Sequence, residues 1–338
     1  MRHYDAIVVG SGITGGFAAK ELTERGLETL VLEAGRSIRP EHDYVEHVQP
    51  WDLHFRGLRN RFELDENKPI QKHCYACDEW AEKFFVNDRD HPYTHDPDKP
   101  FRWIRGRQVG GRSITWGRQT YRWSDLDFEA NARDGIAIDW PIRYRDIEPW
   151  YDYVEDFIGI SGQQEHLDHL PDSRFLPPME MNCAEHFVRD GLRFLGYGEC
   201  LPHPDNYVRL DPSVVDRWGV PTLNIHMKWR ENEIAIRNDM ADSAAEILEA
   251  VGARNVSPFI EKTDPGFTIH EMGTARMGHD PKTSVLNGFN QSHDIRNLFI
   301  TDGACMTSSS CVNPSLTYMA LTARACDYAM RQLDLGHI

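Results

Sequence analysis

An α/β fold built on a parallel sheet is what this sequence predicts, from three observations near its start. The apolar, partly β-branched run "AIVVG" (Ala6 to Gly10) reads as a strand. The turn "GSGITGG" follows at once, and an amphipathic stretch containing Phe17, Ala18 and Leu22 runs on to Gly26. A second short strand, "TLVLE" (Thr29 to Glu33), then ends in an acid. Strand, glycine turn, helix, strand and acid stand in the register of a Rossmann-like dinucleotide-binding unit.

Each part has a physical task. Gly10 permits the tight strand-to-helix turn, Gly12 lets the backbone approach a pyrophosphate, and Gly15 lets the helix pack close to the strands. The helix N-terminus favours the phosphate charge. Glu33 accepts the adenosine ribose hydroxyls, which argues against a 2′-phosphorylated dinucleotide. Ser11 and Thr14 within the turn, with Ala34 and Gly35 after the acid, complete this part of the expected cofactor site. The fingerprint alone does not choose between NAD and FAD.

Composition narrows the class of protein. A chain of 338 residues is long enough for one large or two medium domains with a real core. A net charge of −16, with no basic run, argues against nucleic acid or an anionic membrane surface as the main partner. The sequence opens on its first strand without a charged and apolar leader, and it contains no apolar stretch of membrane-spanning length, so a cytoplasmic location without membrane insertion is expected. Seven scattered cysteines fit reduced thiols. The pair Cys74 and Cys77 in "CYAC" has no second pair at zinc-site spacing and reads better as free or buried thiols than as a metal or redox site.

Four further stretches carry the identity of the cofactor. "RGRQVGGRSITWGRQTYR" (Arg105 to Arg122) is rich in Gly and Arg, "HEMGTARMG" begins at His270, and "NLFITDGA" (Asn297 to Ala304) reads as an apolar strand closed by Asp302 and Gly303. In "VNPSLTYMALTAR" (Val312 to Arg324) the spacing predicts a helix with Asn313 at its N-cap and Pro314 at its first position, followed by Ser315. Together these stretches resemble the glucose–methanol–choline (GMC) family of FAD-dependent alcohol oxidoreductases. The likeness covers about residues 1–160 and 205–335, and the region from Arg118 to Ile142 looks most like the sugar and glycoside dehydrogenases and pyranose oxidases.

The resemblance implies an α/β, Rossmann-like FAD-binding domain of GMC type with a reduced substrate-binding domain. It implies that Arg107, Gly110, Gly111, Ser113, Thr115, Trp116 and Gly117 lie along the FAD, and that Asp302, Gly303, Asn313, Pro314 and Ser315 lie beside the flavin. His270 becomes the catalytic base and Asn313 its partner. Relatives that attach FAD covalently do so through a histidine just before this Trp; here Thr115 precedes Trp116, so noncovalent FAD is expected.

The chemistry follows from these assignments. A helix N-terminus aimed at the flavin N1–C2=O edge stabilises charge that develops as hydride reaches N5. His270 accepts the proton of a sugar, glycoside or other alcohol CH–OH group, while Asn313 donates to the developing alkoxide. Against these roles stand a plain helix cap for Asn313 and an ordinary packed histidine for His270. A zinc site in "HEMGTARMGH" is disfavoured, because His270 and His279 lack the spacing that places two ligands on one helical face. The arginines at 105, 107, 112 and 118 either coat a solvated loop or meet phosphates or a polar substrate.

The remaining chain divides coarsely. Segments 1–35, 100–122 and 297–338 form the expected FAD-binding domain, 36–99 an excursion over the cofactor, and 123–296 a helical and substrate-domain remnant. Apolar spacing predicts helices over 147–158 before Gly159, over 187–195 before Gly196, and over 240–251 before Gly252, and a strand over 222–229. Three strands of the dinucleotide domain are identifiable, at 5–10, 29–33 and 298–302. Members of the family normally carry a long insertion where this chain has only "YGECLPHP" before Asp205. Two alternatives to an active enzyme follow: an internally shortened relative without turnover, and an NAD-dependent dehydrogenase, which leaves His270 and the C-terminal helix unexplained. An electron-transfer subunit or a second chain is compatible with the short middle.

Overall fold

The computed structural model describes residues 2–183, 196–250, 252–260, 263–267 and 269–338. Strand β1 (Ala6–Val9), helix α1 (Ile13–Glu24) and strand β2 (Thr29–Leu32) form the βαβ unit, with β1 and β2 parallel and in register from Ala6 opposite Thr29 to Val9 opposite Leu32. Val8 turns inward toward α1, whereas Ile7 and Val9 on the opposite face are 62% and 82% exposed. Alternation along the strand thus gives this small sheet one packed and one open face.

The expected third strand does not join it. Residues 298–302 contribute a single antiparallel bridge, Phe299 to Gln291. Asn290 claims both polar groups of Ile300: its carbonyl accepts from Ile300 N–H and its side-chain amide donates to Ile300 C=O, each at 3.0 Å.

The core is centred on a helix. The C-terminal helix Ser315–Asp334 buries Leu316, Thr317 and every residue from Met319 to Cys326. It packs on α1 and on the helix Tyr144–Ile158, which ends at Gly159 with φ of 70°, as the apolar spacing of that stretch predicts. Trp123, Phe128 and Trp140 close the same cluster through edge-to-face contacts, and Met277, Leu286, Cys305 and Met306 complete it.

The excursion has its own small core, in which Leu64, Cys77, Phe85 and Ile104 are buried. Burial raises the Cys77 thiol to about 12, so it stays protonated and serves as packing. Buried Gln71 ties this lobe down, donating to Asp88 Oδ1 (2.7 Å) and Trp103 O (2.9 Å) and accepting from Arg105 N–H (2.8 Å).

Beyond it, Tyr207–Val215 and Pro221–His226 form an antiparallel hairpin, joined by Thr94–His95. The second strand matches the expected 222–229 segment apart from its last three residues, which leave the ladder. The first strand is poorly marked in sequence because it lies exposed and contains Pro212. The helix expected over 240–251 begins earlier, spanning Glu231–Ala250. The helix expected over 187–195 lies outside the described residues. No helix among the described residues is long and apolar enough to cross a membrane.

A buried charge cluster fastens α1 to its neighbour. Glu21, fully buried, accepts from Lys20 (2.8 Å), Tyr153 Oη (2.7 Å) and Arg25, while the Lys20 ammonium sits over the rings of Phe17, Tyr153 and Phe157. Burial alone would raise the Glu21 carboxyl, but the bonds from Lys20, Arg25 and Tyr153 outweigh it and hold it below its ordinary value. The substitution Glu21→Gln is therefore expected to cost about 3 kcal/mol at pH 7, the lower end for a broken buried pair because both cations keep some water contact. Chemical denaturation measures this. The wild-type advantage is complete above the unfolded glutamate pKa of ~4.3 and is lost as pH falls through the depressed folded value.

Candidate active site

The glycine turn behaves as its spacing predicts. Gly10 has φ of +89°, and a Cβ on Gly15 would lie 2.0 Å from the Gly10 carbonyl oxygen, so only glycine lets α1 come this close to β1. Gly12, the N-cap of α1, has nothing within 4 Å of its Cβ direction and leaves an open cradle before the helix N-terminus. Thr14 lies in the first turn of that helix.

Ser11 is the knot of the site. Its hydroxyl donates to Glu33 Oε2 (2.6 Å) and accepts from Gly110 N–H (3.0 Å), and its own N–H donates to the same Glu33 oxygen (2.9 Å). Glu33 Oε1 accepts from Gly35 N–H at 2.6 Å. Slight burial opposes its ionisation, yet these donors hold the carboxyl below its ordinary value. Around the knot the backbones are close: a Cβ on Gly35 would lie 2.5 Å from Gln108, and one on Gly111 3.3 Å from the Gly12 Cα. Val109 N–H donates to Arg36 C=O at 2.9 Å. Three segments 22 to 99 residues apart thus meet at one hydroxyl.

The rest of the Gly/Arg stretch divides. Gly111–Ile114, which includes Ser113, is a single 3₁₀ turn; Thr115 caps it, with half-buried Trp116 and exposed Gly117 beyond. Arg105 and Arg107 do not coat a solvated loop. Arg105 donates to His91 C=O (2.6 Å), and Arg107 reaches His91 Nδ1 (2.8 Å) while lying over Trp218 at 4.9 Å. Arg107 is thereby held against the hairpin, and the knot at Ser11 forms without it.

The second half of the site is zipped onto the 303–305 turn. Gly273, Ala275 and Met277 N–H groups donate to the carbonyls of Gly303, Ala304 and Cys305 at 3.1, 2.8 and 2.9 Å. Asp302 caps that turn by accepting from Ala304 N–H. A Cβ on Gly303 would lie 2.5 Å from Glu271 C=O and 2.8 Å from the Tyr318 hydroxyl, so glycine is required where the histidine segment meets the C-terminal helix. Half-buried His270 is shifted below its ordinary value, first by burial and then by the nearby Arg112 charge, against the opposing pull of Glu271. A neutral imidazole near neutral pH is the form a general base needs.

Asn313 differs from expectation. The helix begins at Ser315 with Pro314 as its N-cap, and no side chain caps it. The Asn313 amide turns away to donate to Gln119 Oε1 at 3.4 Å, so the plain capping role is set aside and the carboxamide faces the Gly/Arg segment. Among the described residues no hydrogen bond joins Asn313 to His270.

What sequence reasoning missed is the link between the halves. Arg112 Nη2 lies 2.9 Å from Glu271 Oε2, across 159 residues of chain. Charge at both positions is visible in the sequence, but nothing local pairs them.

Over residues 202–322 the chain matches the family described as GMC oxidoreductase. It is 39% identical over 151 residues to 2-methyl-1,2-propanediol dehydrogenase of Mycolicibacterium austroafricanum, covering 44% of this chain and 27% of that protein. To the fructose dehydrogenase large subunit of Gluconobacter japonicus it is 35% identical over 144 residues, 41% of this chain and 25% of that protein. The matched stretches thus span about a quarter of the length of these curated relatives. Pyridoxine 4-oxidase from Mesorbium loti superposes with a TM-score of 0.49 at 12% identity, over 97% of this chain and 99% of that one.

The two loop glycines separate packing from cradle. Gly15→Ala drives a methyl into the Gly10 carbonyl and is expected to cost about 3 kcal/mol, the upper range for overpacking. Gly12→Ala meets open space and is expected to cost only about 1 kcal/mol, the loss of a better N-cap residue. Thermal denaturation of the two variants checks both.

Proposed function

We propose that this chain is an FAD-dependent oxidoreductase that oxidises a CH–OH group of a sugar, glycoside or other alcohol. One observation carries the reading: the Gly/Arg segment that closes on Ser11 at the glycine turn also reaches, through Arg112, the residue beside His270. The two ends of a dinucleotide site are thereby physically joined.

The residues present fit FAD. Gly12 leaves room for a pyrophosphate at a helix N-terminus, and Glu33 Oε1, which accepts from Gly35 N–H, keeps a lone pair for a ribose hydroxyl. Bound there, FAD supplies the two-electron acceptor for the carbinol hydrogen. His270 takes the substrate hydroxyl proton at its unprotonated ring nitrogen, and Asn313 exchanges its long bond to Gln119 for one to the substrate oxygen. The N-terminus of the helix beginning at Ser315 favours negative charge in front of it. Thr115 ahead of Trp116 supports noncovalent attachment. The relative named as a large subunit favours an electron-transfer partner.

A second reading, a shortened relative without turnover, draws support from the open sheet face, where Ile7 and Val9 lack cover. Reconstitution with FAD, followed by anaerobic addition of candidate sugars and alcohols, separates the two. A yellow protein that bleaches supports an enzyme, and a colourless one that takes up no flavin supports the second reading. Acid precipitation should release the flavin into the supernatant.

His270→Gln is expected to keep the yellow colour and to slow bleaching about 10²–10⁴-fold. In the wild type, kcat/KM should hold its plateau to a pH below the ordinary histidine value of 6.5 and fall only as the imidazole protonates. A pH–rate profile shows whether the break lies there.

A further inference from the structure

The ion pair between Arg112 and Glu271 has no place in the chemistry above, yet it is a charged contact that crosses the site. Arg112 stands on the 3₁₀ turn that follows the glycine pair Gly110–Gly111, and Glu271 is next in sequence to His270. Their Nη2–Oε2 distance is 2.9 Å. Glu271 is fixed from two sides, by this bond and by its carbonyl, which lies where a side chain on Gly303 would stand. Its second oxygen, Oε1, is buried and without a hydrogen-bond partner.

We propose that the Arg112–Glu271 pair is a positioning element for His270: it ties the cofactor-facing turn to the histidine segment and cancels, beside the imidazole, two charges that would each act on it alone. The proposal rests on the reading of His270 as the base. In its present state the imidazole feels a cation and an anion of nearly fixed separation, and burial decides the balance toward the neutral form. Removing either partner exposes the imidazole to the other.

The other ionisable groups at this corner leave that balance intact. Asp302 is engaged with Ala304 N–H on its own turn. Cys305 and Tyr318, packed behind Glu271, are both pushed up by burial and stay protonated. The charges that change the imidazole are therefore Arg112 and Glu271.

Opposite signs make the test sharp. With histidines labelled at Cε1 with ¹³C, the titration of His270 is followed by NMR in the full chain without substrate, its signal assigned by loss in His270→Gln. Arg112→Gln leaves a bare carboxylate beside the ring and should move the midpoint to higher pH. Glu271→Gln leaves a bare guanidinium and should move it to lower pH. The double variant should fall between them, and Arg112→Lys should stay near the wild type. Midpoints that move in one direction for both single variants, or that stay at the wild-type value, overturn the proposal. If Arg112→Gln does not fold, the isosteric Glu271→Gln decides by itself, since an upward or absent shift overturns it. The readout needs no turnover: unmoved midpoints sink this inference alone, and unimpaired bleaching in His270→Gln sinks the base reading while leaving the opposite shifts in place.

Discussion

The site exists because one helix is buried almost all the way round. From Leu316 to Cys326 the C-terminal helix is buried almost throughout, small residues such as Ala320, Ala323 and Ala325 included, and it packs on α1 and on the helix Tyr144–Ile158. Three of its polar side chains are held by bonds of their own. Thr317 bonds the Tyr151 hydroxyl (2.7 Å), Thr322 donates to Tyr318 C=O (2.7 Å), and Arg324 donates to Gly288 C=O while lying over the Phe289 ring. A helix so enclosed has no freedom to slide, and its N-terminal end at Pro314 is fixed relative to the glycine turn on one side and the 303–305 turn on the other.

Around that rod the site is assembled by polar bonds between distant loops rather than by one continuous sheet. Ser11 gathers Glu33 and Gly110; Gly303 admits the histidine segment; Arg112 and Glu271 join the two groups. Each link depends on a residue with no alternative: a hydroxyl that both donates and accepts, a glycine where any Cβ would collide, and a charge pair at bonding distance. Function therefore sits at junctions, and the helix core sets their spacing.

What the sequence reveals and what it hides divides along range. The turn at Gly10 to Gly15, the acid at Glu33 and the helix ending at Gly159 are legible because local geometry dictates them, through a close approach, a strand end and a left-handed terminator. Residues 298–302 read as a strand by composition, yet their backbone bonds run to Asn290 and Ser292, partners that no pattern within the run discloses. Asn313 reads as a cap because Asn-Pro usually is one, but its amide meets Gln119, 194 residues away in the chain. The partners of Arg107 and Arg112 are hidden for the same reason: charge is visible in a sequence, and pairing is not.

The two ends of the proposed cofactor site stand on unequal foundations. The histidine segment and the 303–305 turn rest on Met277, Cys305 and Met306, all fully buried against the C-terminal helix. The glycine turn and Glu33 rest on two strands of which one face is bare, and parallel sheets are ordinarily covered on both. Local stability follows burial, so the glycine-turn end of the proposed site is expected to open at lower free energy than the end at the histidine segment. A ligand that spans both ends would close that difference: it adds bonds at Glu33 and Gly12 where the protein has fewest of its own. On that proposal cofactor binding also completes the fold at its N-terminal edge, where the bond from Gly110 N–H to Ser11 and the packing of α1 on the C-terminal helix already tie the edge to the core.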